Sequence, residues 1–285
     1  MPQISVTMCM GFGCNAAGVV GCRIIDSPRE RLLALLTNSL VPCNGRFPLL
    51  TALLTMFFAA SFAGHMVLPA LLMTLAVSFS ILMTFAATKL LSATVLRGMP
   101  SSFTLELPSY RRPQMGQVLV RSLLDRTIFV LARAAAVAAP AGVLLWLMAN
   151  LAPGGVSLLT RCAAFLDPFA RLMGLDGVIL IAFILGFPAN EIVMPIILMA
   201  YTAQGSLQEL GGLAEIQALL TAHGWTRTTA VCVLLFCLLH WPCSTTLLTI
   251  RKESGSWKWT GLAALLPTAL GVAACMLVSA LAGLL

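Results

Sequence analysis

The sequence predicts an all-α polytopic membrane protein with about six to eight transmembrane or re-entrant helices. Of its 285 residues, 59% are hydrophobic and only 9% are charged, whereas soluble domains carry about 25% charged residues. A helix needs roughly 20 mostly apolar residues to cross a bilayer. Several runs with no charge or a single charge reach that length, so the chain is expected to cross the membrane repeatedly.

The apolar runs predict the helices in chain order. Runs with at most one charge cover residues 4–22, 47–88, 127–150, 177–201, 228–250 and 260–285. The run 47–88 has room for two spans, with a break expected between Gly64 and Pro69. Two later stretches carry proline within an apolar run, "GFPANEIVMP" (186–195) and "HWPCSTT" (240–246). Because proline removes a backbone donor and clashes with the preceding turn, both stretches are expected to break their helices.

The net charge of +7 is concentrated between the apolar runs. From Lys89 to Arg133, seven basic residues stand against Glu106 and Asp125, and the positive-inside rule places this central segment in the cytoplasm. These basic residues flank membrane spans and do not form the basic and aromatic face of a nucleic-acid-binding protein. We therefore expect a multi-pass protein of the cell inner (cytoplasmic) membrane, in contact with the lipid bilayer and with no nucleic-acid partner.

The basic segments raise a question about topology. The segment "RKESGSWK" (251–258) should also be cytoplasmic, yet three apolar runs separate it from the central segment. Three full crossings would place the two segments on opposite sides. Either the amphipathic stretch 156–173 also crosses, or one run is re-entrant or broken. Non-helical backbone at membrane depth is tolerated only where it is buried in protein or lines a watery cavity.

An internal repeat relates the two halves of the chain. "MGFGCN" (10–15) matches "LGFPAN" (185–190), and "VPCNGR" (41–46) matches "WPCSTT" (241–246) in the same order. The extra polar loop 202–227 accounts for the difference between the two offsets. Interrupted apolar segments at corresponding positions of two halves indicate a binding site in transporters. Each half is expected to supply one Gly-Phe break and one Pro-Cys break to such a site.

These motifs resemble the membrane part of the FeoB-type ferrous iron transporters, in which two related gate regions flank a central family-specific segment. The resemblance covers nearly the whole chain and rests on "GFGCN" (11–15), "RIIDSPRERLL" (23–33), "NSLVPCNGRFP" (38–48), "GFPANEIVMP" (186–195) and "WPCSTTLLTIRKESGSWKW" (241–259). It implies a first gate repeat in residues 1–96, a central basic loop with a family-specific helix in 97–150, and a second gate repeat in 151–285. It also implies that Fe²⁺ is the transported ion and that no cofactor is bound permanently.

The chain departs from the family pattern in three respects. It has no G-x-x-x-x-G-K-[ST] phosphate loop, and the membrane segments that usually precede the first gate motif are not found. The resemblance therefore implies a GTP-binding FeoB-like partner chain that supplies the G domain and these helices, or else a truncated remnant. In addition, "VPCNGRFP" replaces the usual Ser-Cys of the family, although Cys43 is retained. No enzymatic activity is expected of this chain itself.

Three thiols are candidate metal ligands. Cys14, Cys43 and Cys243 each lie beside a Gly or Pro break, and soft ligands suit transition ions. The alternative is that they pack as small hydrophobic residues, which we accept for Cys9, Cys22, Cys162, Cys232, Cys237 and Cys275. The scattered positions of the nine cysteines do not resemble a disulfide framework, and mostly reduced thiols are expected.

Oxygen ligands complete the predicted metal set. Glu191 is the one acid in its apolar run, and an ionisable residue at membrane depth indicates function by default. Asn15 and Asn190 either ligate the ion through their amide oxygens or cap the half-helices that follow the breaks, and capping is favoured. His240 and His65 are further metal-binding possibilities, but an interfacial position is favoured for both.

Other functions remain open on the sequence alone. A gate-type permease for nucleosides or other small solutes would need aromatic and polar lining, and "GFPANEIV" offers few stacking groups beyond Phe187. A membrane subunit that scaffolds or regulates a complex without transporting is a third interpretation. Assembly into a homo-oligomer is also open.

Overall fold

The computed structural model describes residues 2–59, 67–95, 116, 120, 128–152, 155–202 and 212–284, and these residues form helices and connecting turns without a β-strand. The α-helices are α1 (Pro2–Gly13), α2 (Asn15–Gly21), α3 (Pro28–Thr37), α4 (Phe47–Leu54), α5 (Val67–Ala93), α6 (Phe129–Asn150), α7 (Leu158–Leu172), α8 (Gly177–Leu185), α9 (Val193–Thr202), α10 (Leu213–Ala222), α11 (Arg227–Leu239), α12 (Ser244–Ser254) and α13 (Trp257–Leu284). Single 3₁₀ turns at Cys22–Ile24, Asn38–Leu40, Asn44–Arg46 and Asn190–Ile192 and a π-helical turn at Thr55–Ala59 join or extend them.

Four helical stretches of the described residues are long and apolar enough to cross a membrane: Pro28–Phe58, Val67–Ala93, Arg227–Ser254 and Trp257–Gly283. The first and third contain the Pro-Cys motifs at their centres, whereas the second and fourth are continuous helices. The same order of a broken span followed by a continuous span thus occurs twice. The prediction of an all-α polytopic membrane protein is confirmed.

The expected helix breaks are largely confirmed. α8 ends at Leu185, before Pro188, and α11 ends at Leu239, before Pro242. Pro195, the second proline of the stretch 186–195, does not break a helix as expected. It lies in the first turn of α9, where its missing N–H costs no helical hydrogen bond. The break expected between Gly64 and Pro69 falls partly outside the described residues, and α5 already begins at Val67.

The apolar run 177–201 forms a hairpin rather than a full crossing. α8 and α9 pack against each other, and the Tyr201 hydroxyl at the end of α9 donates to the Asp176 carboxylate that precedes α8. Trp225 Nε1 donates to the same hydroxyl at 2.8 Å and so ties the base of the hairpin to the start of α11. Because both ends of the hairpin lie together, the run folds back on itself.

A second hairpin lies at the start of the chain. α1 packs against α2, and a Cβ at Gly21 would lie 2.8 Å from the sulfur of Met10. The Cys22 thiol also hydrogen-bonds to Thr7. The end of α2 therefore lies back along α1, and the turn of this hairpin is at Cys14.

The corner between α7 and α8 is sharp and tightly packed. The two helices meet at 109°, and a Cβ at Gly177 would lie 1.9 Å from the carbonyl oxygen of Ala163. Asp167 accepts from Gly177 N at 3.1 Å, and Asp176 caps α8 by accepting from Ile179 N at 2.6 Å. At about 1.5 Å per residue, the 15 residues of α7 are too short to span roughly 30 Å of hydrocarbon.

These two observations bear on the topological question. The stretch 156–173 does not add a crossing, since α7 is short and turns sharply into α8. The run 177–201 folds back on itself, which agrees with the re-entrant alternative. Between the two basic segments, the α11–α12 stretch is long and apolar enough to cross a membrane, whereas Ala139–Asn150 of α6 is a shorter apolar helix.

Candidate functional site

The two hairpin tips have the same backbone conformation. Cys14 has φ −153° and ψ 122°, and Ala189, its counterpart in the repeat, has φ −150° and ψ 116°. In each case this single extended residue ends the first arm and is followed at once by a new helical turn that begins with an asparagine. The sequence match between "GFGCN" and "GFPAN" is therefore also a structural match.

The two Pro-Cys motifs also form similar breaks. Cys43 has φ −85° and ψ 167°, and Cys243 has φ −60° and ψ 157°, so both are extended. Each follows a proline that has no N–H to donate. A helical turn begins directly after each cysteine, at Asn44 and Ser244.

Hydrogen bonds join the two breaks within each half. With its amide oriented so that Nδ2 faces carbonyl oxygens, Asn15 donates to Gly11 at 3.1 Å and to Val41 at 3.2 Å. Asn38 Nδ2 donates in return to the Asn15 carbonyl at 2.9 Å. In the second half, Ser244 N donates to the carbonyl of Phe187, also at 2.9 Å. Each Gly-Phe tip is thus fastened to the Pro-Cys break of its own half.

Contacts between the halves are reciprocal. α2, which follows the first tip, packs along α12, which follows the second Pro-Cys break. Conversely, the turn Asn190–Ile192 of the second tip packs on the turn Asn44–Arg46 of the first Pro-Cys break. A Cβ at Gly45 would lie 3.2 Å from both Cγ and Oε1 of Glu191, so the absence of a side chain at Gly45 lets the carboxylate lie against the backbone. The two hairpin tips and the two Pro-Cys breaks therefore lie close together, and the place where they meet is called the convergence point below.

Arg46 is a central residue that the sequence reasoning missed. Its side chain is 0% exposed, and its guanidinium donates to four backbone carbonyl oxygens, those of Ser39 at 3.3 Å, Leu238 at 3.0 Å, His240 at 3.2 Å and Trp241 at 3.3 Å. The carbonyls that the Pro242 break frees are therefore occupied by a protein cation. The available signal was an arginine placed at the start of the apolar run 47–88.

The two asparagines do not cap the helices that follow the tips. The N-cap positions are Cys14 and Ala189, and neither turn has a side-chain cap, so the capping interpretation is wrong. Both asparagines are buried. Asn190 Oδ1 lies 3.4 Å from His240 Nε2, while the other ring nitrogen, Nδ1, lies 2.9 Å from the carbonyl oxygen of Cys237. His240 is only 1% exposed and is therefore not an interfacial residue, whereas His65 lies outside the described residues.

The candidate metal ligands surround the convergence point with different exposures. Glu191 and Cys14 are exposed, and Cys43 and Cys243 are half-buried. Cys14 and Cys43 lie close enough to act electrostatically on the Cys243 thiol, whose sulfur is 3.2 Å from Thr246 Oγ1. Among the described residues, no group of three or more His, Cys, Asp or Glu side chains is arranged to hold a metal ion. The proposed metal set is thus gathered around one point but does not form a closed coordination site.

The remaining cysteines differ among themselves. None of the nine is in a disulfide. Cys22, Cys232, Cys237 and Cys275 are buried, as expected of packing residues, whereas Cys162 is half-buried and Cys9 is exposed. Cys275 Sγ donates to the Cys232 carbonyl at 3.2 Å, which joins α13 to α11.

Two hairpins with matching tips, each engaged by a broken span, define a polytopic helical membrane protein built from paired broken-helix units. Two family models match the chain: "Gate: Nucleoside recognition" over residues 131–257 and "Ferrous iron transport protein B C terminus" over residues 73–125. Together with the relatives described next, they support a similarity of this chain to the membrane region of FeoB-type transporters.

Curated relatives match almost the entire chain. The Fe(2+) transporter FeoB of Staphylococcus aureus (strain MSSA476) is 27% identical over 272 residues, covering 92% of this chain and 38% of the relative. That of Methanocaldococcus jannaschii is 27% identical over 296 residues, covering 98% and 41%. An Fe(2+) transport protein A/Fe(2+) transporter FeoB fusion protein of Porphyromonas gingivalis is 22% identical over 300 residues, covering 89% and 35%. The chain thus spans about two fifths of the length of these relatives, and no solved structure matches it.

Proposed function

We propose that this chain is the membrane permease part of a ferrous iron uptake transporter and that Fe²⁺ passes where the four breaks converge. The observation that carries the proposal is the reciprocal packing of each hairpin tip on the Pro-Cys break of the other half. Broken helices at corresponding positions of two halves are the usual setting of an ion site in transporters. The ion is taken from the similar proteins, which are Fe(2+) transporters.

The chemistry of the convergence point suits a weakly held divalent cation. Glu191 provides a carboxylate, Asn15 and Asn190 provide amides, and Cys14, Cys43 and Cys243 provide thiols. Such mixed ligands accept Fe²⁺, and passage requires binding that is weak enough for the ion to leave. An open arrangement of partly exposed ligands meets that requirement better than a closed cage.

The driving machinery is expected outside these 285 residues. The matches are to membrane parts of transporters and not to a catalytic domain, and the sequence carries no phosphate loop. GTP hydrolysis would then reside on a separate FeoB-like chain that docks on this one in the inner membrane. Association into a homo-oligomer is compatible with the same arrangement.

Iron uptake by cells that produce this chain with its partner tests the site. We expect Glu191→Gln and Cys243→Ala to lower the rate of ⁵⁵Fe²⁺ uptake at least several-fold, because each removes a ligand at the convergence point. Glu215→Gln and Cys162→Ala are matched controls on α10 and α7, away from the breaks, and should keep the original rate. Unchanged uptake by both site variants at normal protein level would refute the site assignment.

A nucleoside permease is the second candidate, because one matching family model is described as nucleoside recognition. The structure has a cavity of about 370 Å³ in which Phe187 and Trp241 offer aromatic faces. Its remaining lining is aliphatic apart from the Thr268 hydroxyl, so it has few groups to hydrogen-bond a ribose. Competition of unlabelled nucleosides with Fe²⁺ uptake, and direct uptake of labelled nucleosides, would favour this candidate over iron.

A further inference from the structure

Arg46 is a permanently charged side chain buried without a carboxylate partner. Guanidinium groups stay protonated in proteins, and burying an unpaired charge is expensive. Arg46 takes no part in the ion pairs Arg23–Glu253 and Arg171–Asp167. Arg46 Nε has no hydrogen-bond partner although it is buried. Among the described residues, the hydrogen-bond acceptors of the guanidinium are therefore all backbone carbonyl oxygens.

The carbonyls around Arg46 belong to both halves. Ser39 contributes one from the first half, and Leu238, His240 and Trp241 contribute three from the end of α11. The C-terminal end of a helix carries partial negative charge, so these oxygens would otherwise attract a cation. The Arg46 guanidinium occupies these oxygens, so that they are not available to a passing cation.

The charge also borders the proposed ion path. Gly45, the preceding residue, lies against the Glu191 carboxylate. On the other side, His240 connects the guanidinium to the second tip, because its carbonyl accepts from Arg46 and its ring faces Asn190. Arg46 is thus separated from residues in contact with Glu191 and Asn190 by one residue along the chain and by one hydrogen bond, and no ion pair joins Arg46 to Glu191.

We propose that Arg46 is a specificity-determining residue that keeps cation binding at the convergence point weak. The inference rests on the proposed function. The guanidinium does this in two ways: it occupies the carbonyls that could trap the ion, and its charge opposes the attraction of Glu191. Because Coulomb repulsion scales with the charge of the ion, the effect is twice as large for a divalent cation as for a monovalent one. Arg46 thus promotes release of the ion from the convergence point and does not promote its binding there.

The test compares charge removal with charge conservation in the purified full chain. Binding of Mn²⁺ alone, followed by its EPR signal, gives affinity, and Fe²⁺ uptake with the partner gives KM and maximal rate. In Arg46→Met and Arg46→Gln we expect about tenfold tighter Mn²⁺ binding, with a lower KM and a lower maximal rate. Arg46→Lys keeps the charge but has only three donors for the four carbonyls, so its affinity should lie closer to the original value than that of either uncharged variant. Arg171→Met, which removes a surface arginine, is the matched control.

Two further variants separate charge from folding. Asn44→Asp adds a negative charge on the exposed side of the same turn, leaves the guanidinium in place and should also tighten Mn²⁺ binding. In Arg46→Met/Glu191→Gln the tightening should disappear, because the carboxylate that holds the ion is gone. Should neither uncharged Arg46 variant accumulate, Asn44→Asp decides: tighter binding supports the proposal and unchanged binding overturns it.

The outcomes also distinguish this inference from the proposed function. Unchanged or weaker Mn²⁺ binding in folded Arg46→Met and Arg46→Gln overturns the role of Arg46, even when the unmodified chain carries iron. If the unmodified chain with its partner neither binds Mn²⁺ nor transports Fe²⁺, the proposed function itself fails.

Discussion

Replacing Gly18 by alanine should destabilise the first hairpin, because Asn38 occupies the space that a side chain would need. A Cβ at Gly18 would lie 2.7 Å from Oδ1 and 2.9 Å from Nδ2 of Asn38. Asn38 has little room to retreat, since its Oδ1 also lies 2.9 Å from the Cβ position of Gly11 on the other arm. The amide is therefore held between the two arms, and it donates to Asn15 at 2.9 Å.

The magnitude follows from two costs and one gain. Overpacking a filled site costs about 1–3 kcal/mol, and losing the buried Asn38 hydrogen bond costs about 1–3 kcal/mol more. Alanine in place of glycine within a helix returns roughly 0.5–1 kcal/mol. The free energy of unfolding should accordingly fall by about 1–5 kcal/mol. The affected region is the contact between the tip and the first Pro-Cys break.

Denaturant unfolding of the purified chain in detergent, followed by tryptophan fluorescence, measures this change. Gly13→Ala is the matched control, because nothing lies within 4 Å of its Cβ position, and its stability should be unchanged or slightly higher. Adding Asn38→Ala to Gly18→Ala should restore part of the loss by removing the clash. Equal unfolding free energies for Gly18→Ala and Gly13→Ala would refute the packing argument.

Three further outcomes are expected. Tyr201→Phe removes the hydrogen bond to Asp176 and should lower the local stability of the hairpin by about 1–3 kcal/mol. Amide hydrogen exchange in α8 and α9 should therefore become faster. Unchanged exchange there would show that the hairpin base does not depend on this hydroxyl. Gly177→Ala should prevent accumulation of folded protein, as judged by size-exclusion chromatography, because the added Cβ meets a backbone oxygen at 1.9 Å; a normal monodisperse peak would contradict the close approach. Glu253→Gln breaks the 2.6 Å ion pair with Arg23. The free energy of unfolding should fall by at most about 1 kcal/mol, since the arginine side chain is 60% exposed. A much larger loss of stability in thermal unfolding would assign the pair a structural role.

The helical architecture was accessible from the sequence because it depends on composition and on residues that interrupt helices. The uncharged runs and the prolines at 188 and 242 place the spans and breaks without any long-range information. The repeat was also accessible, since two short matches in the same order mark segments whose backbone conformation is the same at Cys14 and Ala189. Pro195 was misassigned because proline in the first turn of a helix does not break it.

The convergence of the breaks depends on tertiary contacts, and the sequence reasoning resolved it only in part. The topological mismatch allowed several solutions, and the contact between Tyr201 and Asp176 selects the hairpin. The roles of Asn15 and Asn190 followed a local rule for helix starts, whereas both side chains instead reach partners in other segments. Six metal ligands were named from residue type and from position beside a break, and their ligation stays a prediction.

The hydrogen bonds of Arg46 have a consequence for the order in which the chain is made. The most distant of its four carbonyl partners lies 195 residues further along the chain. At a synthesis rate of about 5–20 residues per second, that partner emerges roughly 10–40 seconds after the arginine. During this interval the Arg46 guanidinium of the nascent first half lacks its carbonyl partners from the second half. A charge without such partners favours a location of this segment near the membrane surface. The first half is therefore expected to complete its insertion only when the second half arrives, and the two halves should mature together.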